Sequence, residues 1–420
     1  MNLNLVSALG VILILGVAWL ASERKGALPW RSIGSGLLIQ ICLVGLILKT
    51  ALGRIFFDSA QAIVLKINDF ANQGAAVVFG PLADPSKLND GFGPGSGPIF
   101  AVLISATIIL IAALSSLLYH WGLLQKIVAA MAFIMQRVMK TSGSESLAAA
   151  ANCFIGQTEA PLVIKPYLEK MTRSEILALM TGGMATIAGG VLAVYSQFGA
   201  NAGHPELAGH LMTASLISAP GALMIAKILI PEREESETRD GAEWTRERST
   251  SNAIDALCRG AQDGLRLAVN VMAMILTFVA VVALVNYVLQ WPQIRFGVAE
   301  PVTLQRLMGW INTPFAWMIG IPTEHCQLVG QILGERIVLN EFFGYLTLTQ
   351  QEAQLDQRTF IITSYALCGF ANFGSIAIQI GGIGTLVPKR RGELATLGGR
   401  AMLGGLLTCY LTAALVGIVL

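Results

Sequence analysis

The chain has 420 residues, 54% of them hydrophobic and 13% charged, with a formal net charge of +2 and a mean hydropathy of +0.64. So few charges cannot cover a water-soluble surface, and a near-neutral balance excludes a broadly basic nucleic-acid face, so the composition implies a protein of the bilayer. Six cysteines without paired spacing and four scattered histidines form neither a disulfide framework nor an i, i+4 metal-ligand set.

The first apolar run, Asn4 to Ala21, carries too little N-terminal positive charge for a cleaved signal peptide and is expected to remain as a membrane helix. Further runs long enough to cross a bilayer of about 30 Å follow near 33–52, 97–119, 174–200, 208–230, 260–290, 358–386 and 396–420. Together they predict an all-α polytopic membrane protein with about eight transmembrane helices. Two weaker stretches, 58–80 and 121–140, carry Lys66, Asp69, Lys126 and Arg137 at helical spacing and read as interfacial helices. The Gly- and Pro-rich Asn89–Pro98 and the charged stretch 232–255 read as solvated connections.

Two stretches, 143–168 and 312–346, are apolar at their ends but polar in the middle. Basic loops favour the cytoplasm, and the loop Glu23–Arg31 placed there sets the N-terminus outside. Because Arg137 and Lys140 precede 143–168, and Lys165, Lys170 and Arg173 follow it, that stretch enters and leaves on one side as a re-entrant hairpin. By the same count 312–346 is a hairpin from the opposite face. Each hairpin precedes a helix with a polar break, at Thr186-Ile187-Ala188-Gly189-Gly190 and at Asn372-Phe373-Gly374-Ser375, so hairpin, broken helix and helix recur as an inverted repeat. The expected organisation is scaffold and interfacial helices in 1–140, a first repeat unit in 141–231, a loop and long scaffold helix in 232–311, and a second unit in 312–420. Helical spans place the protein in an inner membrane, with both termini on the periplasmic side.

Irregular backbone survives at membrane depth where it lines a protein-enclosed cavity, so two hairpin tips and two helix breaks are expected to converge. They bring amides and hydroxyls at Gln157, Thr158, Asn372 and Ser375 and carboxylates at Glu159 and Glu341, a set suited to a polyhydroxylated solute. Oxygens near Asn152, Ile155, Thr186 and Ile187 suit a small hard cation. Residue type alone leaves blander roles open: Asn372 and Ser375 as bonds between helices, Asn152 and Thr186 as helix caps, and the acids as anchors of the hairpins.

The segments Gly156-Gln157-Thr158-Glu159-Ala160-Pro161, Ala185-Thr186-Ile187-Ala188-Gly189, Asn340-Glu341-Phe342 and Cys368-Gly369-Phe370-Ala371-Asn372-Phe373-Gly374-Ser375-Ile376-Ala377 resemble the concentrative nucleoside transporters, in order and spacing, over nearly the whole chain. The resemblance implies that Gln157, Thr158 and Glu159 face the nucleobase, with Val191 as an apolar wall. It also implies that Glu341, Asn372 and Ser375 hold the ribose while Phe370 packs beside sugar and base. Sodium is implied between the first hairpin and the first broken helix, on the side chains of Asn152 and Thr186 and the carbonyls of Ile155 and Ile187. A homotrimeric symporter follows, with no catalytic residue and no organic cofactor, whose repeat units slide across the bilayer against a scaffold. Family members differ in sodium or proton coupling and in purine or pyrimidine preference. An intramembrane enzyme would need a nucleophile or metal beside Glu159 and Glu341, and a channel fits opposed hairpins less well.

Overall fold

The computed structural model describes residues 2–93, 99–242 and 250–420, and every regular element among them is helical. The connections expected at Asn89–Pro98 and 232–255 therefore lie partly outside the described residues. The chain opens with α1 (Leu3–Leu20), α2 (Trp30–Lys49), the 29-residue α3 (Ala51–Phe79) and the short α4 (Pro85–Phe92). Side-chain oxygens of Asn2, Thr50 and Asp84 cap α1, α3 and α4, taking up N–H groups that have no partner within their helices. α5 (Phe100–His120) is followed by Gly122, whose left-handed backbone turns the chain by 77° into α6 (Leu123–Met139).

The segment expected to form the first repeat unit holds α7 (Gly143–Ile155), the four-residue α8 (Ala160–Val163), α9 (Arg173–Ala185), α10 (Gly189–Asn201) and α11 (Leu207–Leu229). Capping boxes start both its hairpin and its broken helix: Ser142 with Glu145 on α7, and Thr172 with Glu175 on α9. The 43-residue α12 (Ala253–Arg295) leads to α13 (Leu304–Met318). α14 (Cys326–Val338), α15 (Glu341–Gln350), α16 (Gln357–Leu367), α17 (Phe373–Leu386) and α18 (Arg391–Val419) fill the segment expected to form the second unit.

Two expectations change. The hairpin placed at 312–346 is formed by α14 and α15 instead, while α13 is a separate helix packed on α14, so the boundary at 311/312 cuts through it. Its cause is the turn after α13, where Gly320 at φ +89° and Pro322 interrupt an otherwise continuous apolar run. α13 thereby precedes its hairpin as α6 precedes α7. The expected crossing at 358–386 is two pieces of 11 and 14 residues, α16 and α17. By length and apolarity among the described residues, α1, α2, the α9–α10 pair, α11, α12 and α18 qualify as spans, and the bent α5–α6 pair makes a seventh.

The two units interleave. α18 packs on α9 and α11 of the first unit as well as on α16 and α17 of its own, and α11 packs on α16. Most of the buried core lies within them, whereas α12 packs chiefly on α5 and leaves most of its apolar surface uncovered. Basic stretches meet at one end of the molecule: Glu23 pairs with Arg173 at 2.9 Å and with Arg400, and Lys389 pairs with Glu169 at 2.8 Å. There Lys227, buried at the end of α11, lies 2.8 Å from Glu145 and 2.9 Å from Glu232.

Candidate functional site

Two glycines locate the meeting point of the non-helical segments. α7 ends at Gly156, with φ +82°, and a Cβ there would lie 2.6 Å from the Cβ of Ala188, in the gap between α9 and α10. In the other broken helix Gly369, with φ +150°, lies so close that its Cβ would meet the Met184 carbonyl at 2.7 Å. Tip and breaks thus touch in the interior, at distances only a residue without a side chain allows.

Local capping then aims the polar groups. Asn372 caps α17, its Oδ1 accepting from the Ser375 N–H at 2.8 Å, which frees its Nδ2 to donate to Glu341 Oε2 at 2.9 Å. Asn340 caps α15 by accepting from the Phe343 N–H at 3.3 Å and makes Glu341 the first helical residue, where the helix dipole favours a carboxylate. The other Glu341 oxygen accepts from the Tyr195 hydroxyl at 2.8 Å. From the first hairpin, Gln157 donates to Ser375 Oγ at 3.3 Å and accepts from Gln379 Nε2 at 3.0 Å, and Gln379 also donates to the Met180 carbonyl at 2.9 Å. All six side chains are buried. A single polar chain therefore runs from the first hairpin tip through α17 to α15 and α10.

Of the expected site residues, Gln157, Glu341, Asn372 and Ser375 come together in this network. Val191, one turn before Tyr195 on α10, and Phe370, two residues before Asn372, are half-buried beside it in the chain. Thr158 and Glu159 sit exposed at the tip, outside the network. Tyr195 and Gln379 belong to it although they were not singled out. The signal for them was register: Gln379 follows Ser375 by four residues and Asn372 by seven, and Tyr195 follows Val191 by four, so each shares a helix face with an expected residue. Arg336 is a third addition, wholly buried, donating to the Ala366 carbonyl and to Cys409 Sγ, the latter at 3.2 Å. It places a cation at the negative end of α16, just before the break.

Asn152 and Thr186 face one another a short way off. The Thr186 hydroxyl lies 3.1 Å from the Asn152 carbonyl and 2.9 Å from that of Gly182, and its one proton serves one of them at a time. Asn152 is wholly buried, yet both polar atoms of its side chain lack a hydrogen-bond partner among the described residues. Such an amide calls for a ligand. Ile155 lies in the last turn of α7 and Ile187 in the α9–α10 break, where half-helices end with unpaired backbone groups. These neutral oxygens fit a small hard cation.

Comparison with known proteins points the same way. Family profiles described as "Na+ dependent nucleoside transporter C-terminus", "Na+ dependent nucleoside transporter N-terminus" and "Nucleoside recognition" match residues 210–417, 9–82 and 101–202. The chain is 38% identical over 410 residues to the uncharacterized transporter YutK of Bacillus subtilis, covering 97% of this chain and 98% of that one. It is also 38% identical over 420 residues to the nucleoside permease NupC of Helicobacter pylori, covering 99% and 97% of the two chains. Among solved structures, CNTnw in an inward-facing substrate-bound state superposes with a TM-score of 0.90 at 36% identity, over 99% of this chain and 97% of that one. A CNTnw variant in an outward-facing state superposes with a TM-score of 0.91 at the same 36% identity, over the same 99% and 97%.

Proposed function

Since this chain belongs to the Na+ dependent nucleoside transporter family, and is a membrane transporter rather than an enzyme, we propose that it is a sodium-coupled symporter that imports nucleosides across an inner membrane. The observation that carries this reading is Glu341: a buried carboxylate at a helix N-terminus whose two oxygens are met by Tyr195 and Asn372. These neutral donors hold the carboxylate in place and leave its remaining lone pairs to accept from the paired hydroxyls of a ribose. Asn372 and Ser375 hold the sugar with Glu341, and Phe370 packs beside it. Gln157, Thr158 and Glu159 meet the base against Val191. The exposure of Thr158 and Glu159 supports their roles as contacts for a solute, since neither side chain is held by a hydrogen bond or ion pair among the described residues.

The side chains of Asn152 and Thr186, with the carbonyls of Ile155 and Ile187, hold sodium, and the unpartnered Asn152 amide supports that assignment. Sodium, when bound, supplies a hard positive charge between the first hairpin and the first break. Asn152 thereby ties α7 to the segment that Gly156 touches, and orders the tip bearing Gln157. By linkage, whatever this adds to nucleoside affinity nucleoside returns to sodium affinity. The interleaved units move as one body against α1–α6 and α12, an elevator-type exchange that the likeness to inward- and outward-facing CNTnw supports. A homotrimer, with both termini periplasmic, completes the proposal.

Proteoliposomes test it. An inward sodium gradient should concentrate uridine or adenosine above its outside level, and a proton gradient alone should not. Equilibration without accumulation would indicate a channel, and accumulation on protons alone would reassign the coupling ion. At matched expression Glu341→Gln should cut uptake by about ten- to a hundredfold, the range for a buried charged acceptor.

A further inference from the structure

Several basic side chains at the charged end are paired: Lys170 with Glu237, Arg173 and Arg400 with Glu23, Lys389 with Glu169, and Arg390 with Glu393. Others are not, and four of those share one cleft. Arg31, Arg137, Lys140 and Arg239 line a cleft of about 990 Å³ and have no acidic partner within ion-pair distance among the described residues. Asp240 is the one acid in its wall, so the described lining carries four positive charges against one negative.

The cleft is built rather than incidental. Its floor is the start of α7, on which the segment 238–242 is fastened: the Gly143 N–H donates to the Thr238 carbonyl at 2.8 Å, and the Ser144 N–H to Thr238 Oγ1 at 3.1 Å. A Cβ on Gly143 would lie 2.2 Å from the Ala242 nitrogen, so the fit requires glycine there. Gln136 on α6 closes one side by donating to the Arg239 carbonyl at 3.3 Å. Lys140 ends α6 with φ +55°, a left-handed backbone unusual for a residue with a side chain.

Beside these cations the outer face of α6 is apolar, with Ile127, Phe133 and Ile134 all exposed and Phe133 itself lining the cleft. A cationic cleft edged by an apolar helix face matches a molecule with an anionic head and hydrocarbon tails. We propose that this cleft between α2, α6 and the start of α7 binds the phosphate headgroup of an anionic phospholipid, with the acyl chains lying along the Phe133 face of α6. A free inorganic anion would satisfy the four cations but leave that apolar edge unexplained. α2 and α6 belong to the N-terminal region, whereas α7 and 238–242 adjoin the first repeat unit, so the lipid bridges the two. Any effect of this bridge on transport rests on the movement proposed above; the binding itself does not.

Native mass spectrometry of the purified protein, titrated in parallel with phosphatidylglycerol and phosphatidylcholine, tests the site. Phosphatidylglycerol should bind at least tenfold more tightly, and R137Q/K140Q/R239Q should lose about fivefold for each cation removed. R137K/R239K, which keeps the charge, should retain the preference, and uridine binding measured on each variant reports an intact fold and an intact transport site separately. Equal binding of the two lipids, or an unchanged preference in the triple variant, would overturn the proposal. Displacement of the lipid by millimolar inorganic phosphate would also overturn it, in favour of a free-anion site.

Discussion

Tyr195 and Glu341 sit 2.8 Å apart in the protein interior, where no bulk solvent can replace a lost donor. Tyr195→Phe should therefore raise the KM for uridine uptake by about five- to a hundredfold, the cost of one missing bond to a buried charge, while leaving surface expression unchanged. Gly183 offers a steric test of the same network. A methyl there would lie 2.7 Å from Gln379 Nε2 and 2.8 Å from Gln157 Cβ, whereas one at Gly182 makes an ordinary 3.4 Å contact with Asn152 Nδ2. Gly183→Ala should raise KM by about tenfold, in line with about 1 to 3 kcal/mol for overpacking, and Gly182→Ala should change it far less. A reversed order in the uptake assay would contradict the geometry. At this scale Gln157, Glu341, Asn372 and Ser375 were legible because a polar side chain in an apolar run has few benign explanations. Tyr195 and Gln379 share the register of Val191 and Ser375 but lie within α10 and α17 rather than at a hairpin tip or helix break, so no interruption of the helix pointed to them.

Among the elements, the first hairpin is anchored where α7 begins. Lys227 reaches from the end of α11 to Glu145 at 2.8 Å, with both groups nearly inaccessible, and to Glu232 at 2.9 Å. Removing the cation alone strands a buried carboxylate, so Lys227→Met should destabilise the protein by about 3 to 5 kcal/mol, seen as a lower melting temperature in detergent. Adding Glu145→Gln should recover part of that loss, and additive losses would show that the pair is not coupled. The expectation of a hairpin at 143–168 rested on the basic residues that flank it on both sides, and the chain does turn within it, at Gly156 between α7 and α8. The second hairpin was misplaced because apolarity is the same whether a helix forms one of its arms or lies against it, and α13 does the latter.

At the scale of the molecule, the all-helical membrane fold and the helix breaks near Thr186 and Asn372 could be read from the chain, but the way the elements interleave could not. α18 touches elements of both units, and an apolar run does not name its partners. The exposed face of α12, with Leu276, Leu284, Tyr287 and Trp291 all uncovered, is open to lipid or to a second copy. Light scattering in mild detergent should return a protein mass of three 44.7 kDa chains, and a single-chain mass would remove the trimer from the proposal. The coupled site itself is tested most directly by equilibrium binding of uridine with and without sodium. Sodium should tighten uridine binding at least fivefold, in the ordinary range of coupling energies, and Asn152→Ala should abolish that dependence. Uridine affinity that is the same in sodium and in a sodium-free buffer would contradict the account.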